Sequence, residues 1–101
     1  MSTAASLEVA ETIRAQLGHH SAMMLGASGF VGDKNSLQFK IGRNVKKVTH
    51  IVIALAPSDT YTVEFLKTGR LDWKVLSRAE GVDVSSLHRV IEAHTEMRTS
   101  L

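Results

Sequence analysis

Cysteine is absent from this 101-residue chain, which excludes disulfides and thiolate chemistry and suits a reducing cytosol. Proline occurs once, at Pro57, and no linker, low-complexity tract or internal repeat interrupts the sequence. Long apolar runs are missing too. The longest, Ile51 to Ala56, is six residues, against the roughly 20 that a membrane-spanning helix needs. The opening Met1-Ser2-Thr3-Ala4-Ala5 has neither the basic start nor the apolar centre of a signal peptide. A charge excess of one sign is nearly absent: 12 basic and 10 acidic side chains leave +2 with histidine neutral. That is a mild bias rather than the field of a dedicated nucleic-acid binder. What is present, 44% hydrophobic and 22% charged residues, is the composition of a soluble globular protein. The length predicts a single domain over residues 1–101.

The local pattern predicts a helix over Ser6 to Leu17, with Ser6 as cap, Glu8 and Glu11 near its positive pole, and Val9, Ala10, Ile13 and Leu17 in one stripe. Gly18 is placed to stop it. Ser21 to Leu25 reads as a short strand, and Gly26 to Asn35 as a loop whose Phe30 and Val31 plug into the core. From Leu37 the period becomes two, with Leu37, Phe39 and Ile41 on one side of a half-buried strand. A basic turn, Gly42 to Lys47, leads to two runs, His50–Leu55 and Tyr61–Phe65, separated by Pro57-Ser58-Asp59 as in a β-hairpin. Leu71, Trp73 and Val75 then alternate inward on a last strand that Gly81 ends. Asp83 is a helix cap, Val82 and Leu87 form a hydrophobic staple, and Leu87, Val90, Ile91 and His94 recur at helical spacing.

Face matching fixes the hairpin register. Ile51, Ile53 and Leu55 share one face, and Tyr61, Val63 and Phe65 share another. Both triples reach the core only if Leu55 pairs with Tyr61, Ile53 with Val63 and Ile51 with Phe65, because a one-residue slip sends one triple into water. The expected fold is α+β, an antiparallel sheet of four or five strands with the N- and C-terminal helices on one face. The opposite face carries His50, Val52, Ala54, Thr62, Glu64 and Leu66, joined by Lys40, Lys74 and Leu76.

Four segments together carry a resemblance: Met24-Leu25-Gly26-Ala27-Ser28-Gly29-Phe30-Val31, Leu37-Gln38-Phe39-Lys40, Val52 through Phe65, and Thr95-Glu96-Met97-Arg98-Thr99-Ser100-Leu101. In that order they resemble a family of small proteins encoded by bacteriophages, prophages and other mobile elements, over about Ile13 to the last residue. Asp59-Thr60-Tyr61 and the closing Thr-x-x-x-Thr-x-Leu are the most specific parts. The chain departs from the family pattern at Ser28-Gly29, at Asp83-Val84-Ser85 and at Glu96-Met97-Arg98, where a cation and two aromatics are usual. The resemblance implies a genetic context, a short protein ending at its natural C-terminus in the cytoplasm of a bacterial host. It identifies no catalytic residue.

No constellation of side chains calls for a cofactor, a metal or a catalytic centre. On a strand, His19 and His20 point to opposite faces, and His88 and His94 lie on different sides of a helix, so no three ligands converge as zinc requires. His94 falls on the apolar stripe, as a histidine bonded to a neighbour does. The Gly26–Gly32 stretch has neither the spacing nor the following helix of a phosphate loop. Asp59, Thr60, Tyr61 and His50 could be assembled into an acid–base site, but Ser and Asp after Pro set turns, and a nucleophile elbow is missing.

The surface residues point instead to binding. Arg43, Lys46 and Lys47 crowd the basic turn, and Lys40, Lys74 and Arg78 flank the outer sheet face, an arrangement able to follow a phosphate backbone. Stacking aromatics are lacking there, since Trp73 and Tyr61 belong to the core face in this reading. The same face offers Val52, Ala54, Leu66 and Leu76 as the apolar centre of a protein contact with a charged rim, a homodimer being its simplest form. The sequence therefore predicts a non-catalytic protein that binds a host or phage macromolecule through His50, Val52, Ala54, Thr62, Glu64 and Leu66, including interference with antiviral defence. The alternative is nucleic-acid binding through Lys40, Arg43, Lys46, Lys47, Lys74 and Arg78.

Overall fold

The computed structural model describes residues 8–69 and 72–99. Its elements are α1 (Glu8–Leu17), α2 (His19–Leu25), β1 (Ser28–Gly32), β2 (Ser36–Lys40), β3 (His50–Leu55), β4 (Tyr61–Thr68), β5 (Trp73–Val82), a 3-10 turn (Val84–Ser86) and α3 (Leu87–Thr95). The strands form one antiparallel meander in the order β1-β2-β3-β4-β5. The expected α+β class and its helix placement are therefore present. Ser6 and Leu71 lie outside the described residues.

The inner sheet face and the helices close around one core. Ile13 and Leu17 of α1, Leu37 and Phe39 of β2, Ile51 and Ile53 of β3, Val63 and Phe65 of β4, and Leu87 and Ile91 of α3 are all essentially inaccessible to solvent. Three polar links fasten the helices. The Tyr61 hydroxyl donates to Gln16 Oε1, and burial raises the Tyr61 phenol above its ordinary pKa. His88 Nε2 meets the Leu17 carbonyl at 2.7 Å, and His94 Nδ1 meets Ser77 Oγ at 2.8 Å. The His94 ring also stacks on Phe65, with centroids 4.6 Å apart. This histidine is a bonded core-facing residue, as its position on the stripe implies.

The hairpin register is the one that face matching demands: Leu55 opposite Tyr61, Ile53 opposite Val63 and Ile51 opposite Phe65. At its tip the Asp59 amide donates to the Ala56 carbonyl at 2.9 Å, and the Ala56 amide donates to Thr60 at 2.8 Å. Pro57 thus opens a tight turn, and Asp59 follows it with φ 67°, the left-handed position of a three-residue loop. Ser58 bonds the Thr60 hydroxyl, so the turn rests on main-chain bonds and not on Ser or Asp side chains capturing amides.

Four local expectations need correction. Ser21 to Leu25 is helical, because Gly18 at φ 88° absorbs the break and Ser21 and Leu25, one turn apart, bury the same side. His19 and His20 consequently sit exposed on a helix and not on a strand. The helix closes with Gly26 at φ 66° and with bonds from Ala27 to the Ala22 carbonyl and from Gly26 to that of Met23, a Schellman motif. The supposed loop after it contains β1, whose Gly29, at φ 62°, and Phe30 bulge opposite Phe39. Phe30 packs on Phe39 (5.3 Å between centroids) under the Arg14 guanidinium, whereas Val31 points outward and is exposed.

The remaining two corrections concern β5. It continues through Gly81 to Val82, because Glu80 and Gly81 bulge opposite Thr62 with Gly81 at φ 66°. A second bulge places Val75 and Leu76 together against Leu66, since Phe65 pairs with Ser77 and Leu66 with Val75. One extra residue reverses the parity of everything before it. Trp73 and Val75 therefore leave the core face and stand on the outer one, 64% and 45% exposed.

Side chains hold the 3-10 turn that leads into α3 and the segment that follows the helix. Asp83 Oδ1 accepts from the Ser85 hydroxyl at 2.7 Å and from the Ser86 amide at 2.9 Å, and the Ser85 bond leads in lowering its pKa. Beyond the helix, Glu92 Oε2 accepts from the Thr99 amide and hydroxyl at 2.9 and 2.7 Å. Those bonds, the amide first, hold the Glu92 carboxyl below its usual range. Thr95 bonds the Ile91 carbonyl and receives the Met97 amide. Thr95 and Thr99 are thus structural, folding the segment up to Thr99 back onto α3.

Candidate binding face and basic cleft

Among the described residues no helix covers the outer sheet face. Cross-strand partners share a face, so its rows follow from the register. One row runs Lys40, His50, Leu66 and Val75, and the next Gln38, Val52, Glu64 and Arg78. A third holds Ser36, Ala54 and Thr62. Thr68 and Trp73 form a row at the other end. The face thus brings together His50, Val52, Ala54, Thr62 and Glu64, all half-buried. Leu66 is among them but only 4% exposed, flanked by His50 and Val75, so it supports the surface without contacting a partner directly. Trp73, Val75 and Leu76, with Val31 opposite Gln38 on the far strand, are the large apolar side chains that do stand in solvent here. Trp73 and Val75 were assigned to the core by strict alternation. The readable signal was the apolar doublet Val75-Leu76, since a bulge sets two consecutive residues on one side.

His50 sits at the centre of its row. Its Nδ1 lies 2.9 Å from Thr49 Oγ1, which bonds Thr68 Oγ1 at 3.1 Å. Burial first, then the Lys40 ammonium, holds His50 below the ordinary histidine range, so it is neutral at pH 7. It forms neither a hydrogen bond nor an ion pair with Glu64, whose carboxylate is 3.8 Å from Arg78 Nε. Nor do His50 and Asp59 meet. They lie near opposite ends of β3, about 17 Å of strand apart at ~3.3 Å per residue, and Tyr61 is committed to Gln16. Asp59 instead lines a cleft of about 570 Å³ with Glu8 and Asp83. Among the described residues no group of three or more His, Asp or Glu is placed to hold a metal ion.

The six cations singled out by sequence divide. Lys46 pairs with Glu96 at 3.2 Å, and Arg78 lies between Glu64 and Glu80, 3.3 Å from the latter. Lys74, expected on the outer face, is turned off it by the bulge that brings its neighbours Trp73 and Val75 there, and pairs with Lys67 at the far end of the β4–β5 ladder. The other three, Lys40, Arg43 and Lys47, line a cleft of about 630 Å³ where β2 turns into β3. A fourth cation, Lys67, beyond the run read from the sequence as the second hairpin strand, completes the lining. The turn that carries Arg43 and Lys47 is built around Asn44. Its Nδ2 donates to the Gly42 and Val48 carbonyls at 3.0 and 2.7 Å, and its Oδ1 accepts the Val48 amide at 3.0 Å.

The two surfaces meet along His50, Thr49 and Thr68, so an apolar patch and a cationic cleft occupy neighbouring parts of one end of the sheet. Among the described residues no helix is long and apolar enough to cross a membrane. No protein-family model, curated protein or solved structure matches this chain.

Proposed function

We propose that this is a non-catalytic accessory protein of a phage or other mobile element that acts by docking its uncovered sheet face on a protein of the bacterial host. One observation carries the reading: Trp73, Val75 and Leu76 stand together in solvent on a face that no helix among the described residues covers. Exposed tryptophan beside aliphatics, rimmed by Lys40 and the Glu64–Arg78 pair, has the composition of an interface centre with a charged border. Interference with a host process, antiviral defence included, is the form this binding takes given the resemblance to mobile-element proteins.

The test is capture from nuclease-treated host lysate by the wild type and by Trp73→Asp/Leu76→Asp. The reading expects a specific protein retained by the first and lost with the second. Equal retention by both places the contact elsewhere. If the occupant is a second copy of the chain, light scattering gives twice the monomer mass, and the same variant is monomeric.

A second reading, nucleic-acid binding, is favoured by the outward position of Trp73. A positive surface lacking a stacking partner tracks phosphates poorly, and the exposed indole supplies that partner at the cationic end of the sheet.

A further inference from the structure

We infer that the cleft lined by Lys40, Arg43, Lys47 and Lys67 is a site for the phosphodiester backbone of single-stranded nucleic acid, an inference that rests on the second reading above. All four cations are exposed, and none forms an ion pair among the described residues. Among the described residues no acidic side chain lines the cleft. Unpaired cations gathered without acids lower the folded state's stability by mutual repulsion, and an anionic occupant relieves that repulsion.

The kind of anion follows from the main chain. A pocket for one phosphate is normally a nest of free amides. Here the Ile41, Gly42 and Thr49 amides donate to the carbonyls of Thr49, Leu25 and Leu66, at 2.9, 2.9 and 2.8 Å. Those of Lys47 and Val48 are taken by Asn44. The Arg43 and Asn44 amides have no partner among the described residues. Beside them recognition falls to four long side chains on β2, the turn and β4, over a floor containing Ile41 and Val48, both buried. Cations spread along a trough fit a string of phosphates better than one. Trp73 stands opposite Thr68 on the outer sheet face, the face that Lys40 shares, so an unpaired base of a strand leaving the trough past Lys40 can stack on it. A duplex keeps its bases stacked inside and cannot use that platform.

The experiment is fluorescence anisotropy with a labelled oligothymidylate of about 20 nucleotides, a length exceeding one site. Four phosphate contacts on a single strand give a salt slope of about −2.8, or roughly fifty-fold weaker binding between about 50 and 200 mM salt. Arg43→Glu/Lys67→Glu is expected to weaken binding by at least about tenfold and to flatten that slope by about half. Lys34→Glu/Arg89→Glu removes the same formal charge elsewhere and is expected to keep near wild-type affinity. Equal losses in the two variants overturn the cleft, leaving only a net-charge effect. Binding that survives Arg43→Glu/Lys67→Glu also overturns it, while the nucleic-acid reading stands. Absence of wild-type binding at low salt removes both. Competition by pyrophosphate as effective as by unlabelled oligonucleotide overturns the chain-like ligand, and a duplex bound as tightly as the single strand overturns the role of the exposed indole. Unchanged far-UV circular dichroism and thermal unfolding establish that each variant is folded.

Discussion

Replacing Trp73 with alanine separates the bulged register from a regular one. If β5 alternated without interruption, Trp73 would lie under the helices, and its truncation would cost about 3–5 kcal/mol, as for a buried tryptophan. The bulge at Val75-Leu76 leaves the side chain 64% exposed, so about a third of that applies, on the order of 1 kcal/mol. In a domain of this size that lowers the melting temperature by about 4–8 °C. Phe65→Ala, at a fully inaccessible position of the same sheet, is expected to cost about 3–5 kcal/mol. The assay is urea unfolding followed by far-UV circular dichroism, because Trp73 is the sole tryptophan and its removal abolishes the fluorescence signal. Wild-type emission supplies an independent reading, lying close to that of the unfolded chain. A loss near 3 kcal/mol for Trp73→Ala, or a strongly blue-shifted native emission, would refute the bulged register and the binding face built on it.

Three further outcomes follow from the hydrogen bonds. Asn44→Ala removes three bonds from the basic turn. At about 1 kcal/mol each it should cost about 2–3 kcal/mol in urea unfolding, and a cost below about 0.5 kcal/mol contradicts Asn44 as the turn's organiser. Asp59→Gly relieves a left-handed backbone at φ 67° and should stabilise by up to about 1 kcal/mol, a measured destabilisation counting against the turn geometry. The depressed Asp83 and Glu92 carboxyls stabilise the fold above their ordinary values of 3.8 and 4.5, and that contribution is lost as pH falls through and below this range. Melting temperature should therefore drop on acidification, more shallowly in Glu92→Gln; an identical acid dependence in wild type and variant denies Glu92 its role.

The hairpin was legible because its two triples are bulky and unbroken, so parity alone fixed Ile51 against Phe65. Asp83 and the Leu87–His94 stripe were legible for the same reason, each following a strong local rule. Ser21–Leu25 was not, since five apolar-leaning residues fit a strand or one turn of helix equally. In β1, Gly29 and Gly32 erased the alternation that marks a strand. The site suffered most from bulges, which one sequence position creates and which invert every face assignment beyond it. Trp73 was thereby hidden in the wrong layer. Lys67 was missed because only tertiary pairing brings β4's end beside the Arg43–Lys47 turn, and Leu66 was overcounted because alternation gives a side but not an accessibility.

Site-specific photocrosslinking tests the uncovered face most directly. With a benzophenone side chain at Leu76 in cells of the bacterial host, irradiation is expected to give a discrete protein adduct, and the same group at Val84, exposed on the 3-10 turn, none. No adduct at Leu76, or the same adducts from both positions, would contradict the account.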